Sequence, residues 1–495
     1  MKEILPDDPT EKLLTLIDHV VQVPRDKSSD MLGIYLRQGL TSLSFISVSV
    51  LIGLAYGHSA VLLDQLNPLA HNGTQLTRIE NGIIFGKADI TIDALETQSW
   101  IASVMVLFMC PGGWVVAIGS KKVGRKTILC ASVALFTAAW ILIAFANDVY
   151  HIIIGRSMSG LCIGVQAGLM AVYQGECSLP KFRTTLNVAL ATFFCIGMEV
   201  SHALGIWLHW RTIALLSSQF GLITLFLNYK IPESPIWLLN NNRMRKAIDA
   251  WMFFRGDGEF EELRSMYNGK PITICEDKGQ DTKGKNTFCT QSFLKPLRIV
   301  AIIFTVTEVS GMGAVTFYCI QIFSDILGPK NAYIPTLILD SIRLFFAIML
   351  SICSRRFSSR ALILFSAFSC STCLILLCVS LFFEIGTPWS ALILLLSFES
   401  SVIMGLGPLP WTFCGELFPV ASKEMGLGIV ASYNYALCFI VVKMNPQLLV
   451  LLKPWGTFLL YGILTFVGSI ILYFVVPNTK GKSLKEIELM FSSHS

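Results

Sequence analysis

Charge is what this sequence has least of. Asp, Glu, Lys and Arg make up 14% of its 495 residues, against the ~25% usual in a soluble domain. The shortage comes with 53% hydrophobic residues, 33 Phe and a mean hydropathy of +0.63. Together these exclude a compact water-soluble fold, a disordered chain and a nucleic-acid-binding surface. A cleaved leader is not expected either, because residues 1–37 carry scattered charges and no apolar core of sufficient length. No Ser/His/Asp, metal-ligand or phosphate-cradling constellation occurs, so neither an enzyme nor a cofactor or metal site is expected. The fourteen Cys lie mostly inside apolar stretches and none falls in the polar stretch 64–97, which argues against an extracellular disulfide framework. Cys370 and Cys373 have CxxC spacing but sit in an apolar run without the His partners of a zinc site.

Long apolar runs are what the sequence does have. They fall at about 40–63, 99–118, 127–146, 150–173, 185–208, 211–229, 299–323, 332–353, 361–384, 390–414, 427–450 and 456–476. Ahead of them, apolar residues at 13, 14, 16, 17, 20 and 21 have the spacing of a short amphipathic helix stopped by Pro24, lying on the inner membrane surface. With the N-terminus inside, thirty of the 38 Lys and Arg fall in inner segments. The outer segments hold only Arg78, Lys87, Lys330 and Lys453, and the remaining four lie within spans. That asymmetry places both termini in the cytoplasm. The outer loop 64–97 then carries Asn72-Gly73-Thr74, a glycosylation sequon on the side where one is usable.

A break in composition at 230–298, polar and rich in Lys and Gly, divides the spans six and six. Local patterns recur across it. Gly124-Arg125-Lys126 after the second span is answered by Arg355-Arg356 and Arg360 after the eighth. Glu176, Pro180 and Arg183 after the fourth are answered by Glu416, Pro419 and Lys423 after the tenth. Pro232-Glu233-Ser234-Pro235 has its counterpart in Pro477-Asn478-Thr479. A six-helix unit used twice is the major facilitator architecture, with a solute site near the midplane between the halves. The predicted fold is therefore an all-α membrane protein of 12 transmembrane helices. Its divisions are a cytoplasmic segment 1–39, a first bundle 40–229, a cytoplasmic linker with short helices 230–298, a second bundle 299–476 and a cytoplasmic tail 477–495.

At these motifs the sequence resembles the sugar-porter family of the major facilitator superfamily, over about residues 40–490. The resemblance rests on Pro232-Glu-Ser-Pro-Ile-Trp-Leu-Leu239, Gly405-Leu-Gly-Pro-Leu-Pro-Trp411, Gly415-Glu-Leu-Phe-Pro419 and Thr479-Lys-Gly-Lys-Ser-Leu484. Within that family, Gln98-Ser99-Trp100-Ile101-Ala102-Ser103 and the Glu176, Pro180, Arg183 spacing look most like the insect facilitated trehalose transporters. The resemblance implies an inner charge network of Arg125, Lys126, Arg156, Glu176, Arg183, Glu233, Arg356, Arg360, Glu416 and Lys423. Such pairs clamp the inner side while the outer side is open, then break. The sequence departs from the family where acidic partners stand: Ser120-Lys121 precede Gly124, Arg355-Arg356-Phe357-Ser358-Ser359-Arg360 lacks its acid, and Asn478 replaces Glu. A looser inner lock in the second half is expected.

A sugar offers hydroxyls and apolar C–H faces, so its site needs groups that donate and accept, with an aromatic plate. The family supplies Gln-Gln-x-Ser-Gly-x-Asn in the seventh span, where this chain has Thr307-Glu308-Val309-Ser310-Gly311-Met312-Gly313. The family's fifth-span Gln corresponds to Ala191, Trp411 is retained, and Asn434-Tyr435 stand where Asn-Trp is common. Phe317 and Tyr318 fall at the family's outer gate. Gly313 is expected to enlarge the cavity. Glu199 and His202, one turn apart, are expected to share the pore-facing side of Ala191. Asp340 and Arg343 share a helix face as an internal pair, Glu399 lies in the tenth span, and Lys443 is expected to snorkel from a helix end. The resemblance implies a facilitative transporter of a sugar, trehalose, glucose or a similar polar solute, working as a monomer in the plasma membrane lipid bilayer. Two alternatives remain: a proton-coupled carrier of a non-sugar solute using Glu199, His202 or Glu308, and a non-transporting sugar sensor or receptor.

Overall fold

The structure, a computed structural model, describes residues 27–67, 90–92, 94–179, 183–256, 291–328, 331–418, 423–478, 480 and 486. The expected surface helix at 13–23, the sequon at Asn72 and, apart from Lys480, the motif 479–484 lie outside these residues. All regular structure among the described residues is helical. The first half contains α1 (Lys27–Leu66), α2 (Leu95–Val123), α3 (Arg125–Ala144), α4 (Val149–Cys177), α5 (Arg183–Gly205) and α6 (Trp210–Lys230). Two short helices follow, α7 (Pro235–Asn240) and α8 (Met244–Arg255). The second half contains α9 (Gln291–Val309), α10 (Met312–Leu327), α11 (Tyr333–Arg356), α12 (Ser359–Phe382), α13 (Pro388–Ile403), α14 (Leu409–Leu417) and α15 (Lys423–Val475).

Among the described residues, ten candidate membrane spans are long and apolar enough to cross a bilayer. One of them hides two crossings. The 53 residues of α15 would reach roughly 80 Å as a straight helix, well over the ~30 Å of a hydrocarbon core. The chain instead turns at Lys453 (φ 59, ψ 167), one residue before Pro454. The α13–α14 pair forms a further, broken crossing, so the whole is consistent with twelve, six on each side of the linker helices. Ends are called inner and outer here after the distribution of Lys and Arg.

Breaks inside spans are possible because side chains satisfy the freed backbone. Between α9 and α10 the turn is made by Gly311 (φ 82). Between α13 and α14, Leu406 N donates to Ser366 Oγ at 2.9 Å and Leu406 O accepts from Thr307 Oγ1 at 3.0 Å. Close packing of α1 on α5 depends on Gly53 and Gly197, where a Cβ on either would strike the backbone of the other helix.

The first helix begins at Lys27, well before residue 40. The reason is tertiary. Gln38 is buried and its Nε2 donates to the carbonyls of Cys177 and Phe254, tying the inner end of α1 to α4 and α8. The linker helix α8 is amphipathic, burying Ala247, Ile248, Trp251 and Phe254. The halves meet along α1–α10, α2–α15 and α5–α11.

Candidate functional site

At the inner end of the first half the charge network is assembled. Arg125 at the start of α3 donates from Nε and Nη2 to the two oxygens of Glu176, both at 3.1 Å. Ser234 Oγ also donates to Glu176 Oε2. Glu233 Oε1 accepts from the backbone N–H groups of Arg125 (2.9 Å), Lys126 (3.0 Å) and Ser234 (2.9 Å). A linker carboxylate thus caps α3 by reaching its unpaired N-terminal donors, where a negative charge is favoured. Its approach requires Gly124, whose φ is 108 and whose Cβ would strike the Glu233 carboxylate. Lys126 joins through its backbone; its ammonium lies 5.1 Å over the Tyr229 ring. The side chains of Arg183 and Lys423 lie outside the described residues.

Arg156 is not part of this inner cluster. It lies twenty positions before Glu176 on α4, roughly 30 Å along the axis. There it is 2% exposed, with its guanidinium donating to Ser59 Oγ (2.8 Å) and to the carbonyls of Ile101 (2.5 Å) and Ala102 (3.4 Å). Among the described residues, the second half shows no counterpart of this cluster. Arg360 Nη2 donates to Tyr473 O at 2.8 Å and Arg356 O accepts from Lys480 Nζ at 2.6 Å. Glu416 Oε2 has no hydrogen-bond partner among the described residues. With acids absent from the 355–360 stretch and Asn at 478, the cation of Arg360 falls back on a backbone carbonyl.

In the second half, Trp411 on α14 is 39% exposed, set edge-on to Phe304 at 4.9 Å and 6.3 Å from the Tyr435 ring. The Thr305 and Tyr433 hydroxyls pair at 2.8 Å at an exposed position. Asn434 is buried with Oδ1 unpartnered, and Glu308 is buried with Oε2 unpartnered. Cys438 Sγ and Glu308 Oε2 both lie close to Gly313, within 3.0 Å and 3.6 Å of where its Cβ would stand. Trp411 and Tyr435 therefore come together, with Glu308 behind them. Ala191 is exposed on α5.

Three expectations need correction. Thr307 is 3% exposed and its hydroxyl is already held by the carbonyls of Ile303 and Leu406, both at 3.0 Å, so it pins the break in the tenth span. Gly313 does not enlarge a cavity, because a Cβ there would lie 3.0 Å from Cys438 Sγ and 3.3 Å from Val442 Cγ2. Glu199 and His202 face helix α11. Ser341 Oγ donates to Glu199 Oε1 at 3.0 Å, and His202 is fully buried with Nδ1 2.5 Å from Asp340 Oδ2.

That last contact opens onto a larger set. Arg343 donates from Nη1 to Asp340 Oδ1 (3.2 Å), from Nε to Glu399 Oε2 (3.1 Å) and from Nη2 to Thr316 Oγ1 (3.2 Å). His202 Nε2 is 3.8 Å from Cys319 Sγ. Two carboxylates, one guanidinium and one imidazole are each at most 4% exposed. His202 comes from the first half and the other three from the second. The sequence marked Asp340 with Arg343 from their shared face, but not their joining to His202 and Glu399.

The outer ends are closed by several further contacts. Phe317 packs 5.4 Å from Tyr56 across the halves, and Tyr333 donates to Asp64 Oδ2 at 2.9 Å. Tyr318 stays within its own half, donating to Val442 O at 3.2 Å, where α10 leaves helical dihedrals (φ −119, ψ 17). Lys443 also bridges the halves. Its Nζ donates to Ser99 Oγ at 2.7 Å and lies 4.2 Å over the Trp100 ring, crossing from α15 to α2. Tyr56 and Tyr333 were missed by sequence reasoning, while the Ser99-Trp100 pair was visible as a motif without a role.

Residues 51–491 match the family described as "Sugar (and other) transporter". The chain is 28% identical over 416 residues to a facilitated trehalose transporter of Apis mellifera ligustica, covering 80% of each chain. It is 29% identical to a facilitated trehalose transporter homolog of Drosophila sechellia, covering 81% of this chain and 84% of the relative. Among solved structures, the inward-open xylose transporter XylE of E. coli matches with a TM-score of 0.70 at 18% identity, covering 91% of this chain and 99% of the other. The proton:xylose symporter XylE with bound 6-bromo-6-deoxy-D-glucose matches with a TM-score of 0.69 at 19% identity, covering 92% and 100%. At these identities the solved structures speak to the fold.

Proposed function

Because this chain belongs to the sugar (and other) transporter family, we propose that it is a facilitative carrier of trehalose, glucose or a similar polar sugar. It works in the plasma membrane by alternating access. The observation that carries the reading is Trp411, whose ring is 39% exposed beside Tyr435 in a chain whose halves are joined at their outer ends. An aromatic plate can stack on a sugar's C–H face, while Glu308 Oε2 and Asn434 Oδ1 are acceptors waiting for hydroxyl donors. Inward release followed by parting of the outer contacts would return the empty carrier. Such a cycle needs no cofactor and no second subunit.

The test is uptake of radiolabelled trehalose and glucose by the purified chain in liposomes at outside pH 5.5 and 7.5, beside Trp411→Ala. Saturable uptake that is independent of pH is expected, with KM raised three- to tenfold in the variant, from the ~0.5–1.5 kcal/mol of an aromatic contact. No flux of either sugar would overturn the reading. A second reading, proton-coupled transport, is favoured by the set around His202, whose net charge depends on the imidazole proton. Uptake driven by acid outside would select it.

A further inference from the structure

The inner surface carries a cavity separate from the proposed solute site. It is about 620 Å³ in volume and lies between the inner ends of α3 and α6 and the linker helices α7 and α8. Four cations line it: Lys126, Lys230, Arg243 and Lys246. Their charge is only partly answered. Of the two lining carboxylates, Glu233 already accepts three backbone N–H bonds through Oε1. Asp249 is exposed, and none of the four cations pairs with a carboxylate among the described residues. Three of them rest instead on aromatic faces. Lys126 lies 5.1 Å from the Tyr229 ring centre, Lys230 5.2 Å from Phe226, and Arg243 5.5 Å from Trp237. Cations parked in this way keep donors available for an anion.

A second observation points to what kind of anion. The α6 helix ends at Lys230, and its apolar residues Leu222, Ile223, Phe226 and Tyr229 are 56%, 56%, 60% and 68% exposed. Their spacing makes one stripe along the helix that runs into the mouth of the cationic cavity. A ligand matching both features has a phosphate-bearing head and apolar tails. Basic pockets at the cytoplasmic end of transmembrane helices are suited to such headgroups.

We propose that this cavity binds the headgroup of an inner-leaflet anionic phospholipid carrying more than one phosphate, with its acyl chains along α6. Lys126 and Glu233 place the headgroup beside the cap of α3, so an occupied site would bear directly on the inner charge network. The binding claim does not depend on which solute is carried.

The test uses the full chain in detergent micelles, titrated with dioctanoyl phosphatidylinositol bisphosphate and followed by its intrinsic Trp fluorescence. Dioctanoyl phosphatidylcholine and free inositol trisphosphate are the comparison ligands. Tight binding of the phosphorylated lipid alone is expected. Lys230→Gln and Lys246→Gln, both at exposed positions, should each weaken it about fivefold, while Lys453→Gln at the outer turn leaves it unchanged. Equal binding of phosphatidylcholine, or unaltered binding in the two cavity variants, would overturn the site. Binding of the free inositol phosphate as tight as that of the lipid would overturn the lipid assignment and make this a soluble-phosphate site. Thermal unfolding of each variant separates lost binding from lost folding.

Discussion

Gly313 illustrates how a single position changes meaning once its neighbours are known. From the sequence it reads as space, because a smaller residue stands where the resembled family has Asn. In the structure that space is filled from α15 by Cys438 and Val442. A methyl group at 313 therefore has to displace the Cys438 thiol, with the Glu308 carboxylate close by at 3.6 Å. Gly313→Ala should destabilise the protein by about 1–3 kcal/mol through overpacking, seen as a lower Tm in a thermal unfolding scan. An unchanged or higher Tm would mean that the site does hold spare room. Glu308, a candidate from its place in the motif, is buried with an oxygen unpartnered. Motif position located the residue. Only tertiary packing could say that Cys438, 130 positions later, would be its neighbour.

Helices were the most legible elements, because a run of about twenty apolar residues has few alternatives to a crossing. Breaks were not: the sequence reads 390–414 as one run, which the structure parts into α13 and α14 around Gly405-Leu-Gly-Pro408. Nor were extensions. The early start of α1 follows from Gln38 reaching Cys177 and Phe254, contacts 139 and 216 positions away. The capping of α3 is equally non-local, since Glu233 stands 108 positions from Arg125. That cap is sensitive at one place. Gly124 has φ 108 and ψ 157, a region essentially confined to glycine that costs another residue ~1–3 kcal/mol. Gly124→Ala also sets a methyl against the Glu233 carboxylate. The expected result is a lower Tm together with slower uptake. Wild-type values for both would show that α3 does not need its cap.

At the scale of the whole molecule, the outer closure joins two halves through a buried ionic set. Breaking such a set by removing one charge costs ~3–5 kcal/mol, because the remaining groups are left unpaired in a dry environment. Asp340→Asn should therefore disfavour the outer-closed form. Cys319 is a natural reporter: it is fully buried and 3.8 Å from His202. In the variant it should react with a membrane-impermeant thiol reagent added outside, and in the wild type it should not. Protection in both would mean that the His202–Asp340 contact staples the fold without gating it. Sequence reasoning reached the two halves through their repeated motifs. The residues that join them lie 138 positions apart in the case of His202 and Asp340, and belong to no motif.

The burial of that junction has a consequence for how the carrier would answer its surroundings. Dissolved ions weaken charge pairs only where they can approach them, and raising ionic strength from about 0.01 M to about 1 M shortens the Debye length from ~30 Å to ~3 Å. The His202, Asp340, Arg343 and Glu399 side chains are at most 4% exposed, out of reach of that atmosphere. If parting of the outer contacts limits turnover, the rate should be the same in dilute and concentrated potassium chloride, as measured by exchange of labelled sugar. A carrier held shut by solvated surface charges would instead speed up as salt is added.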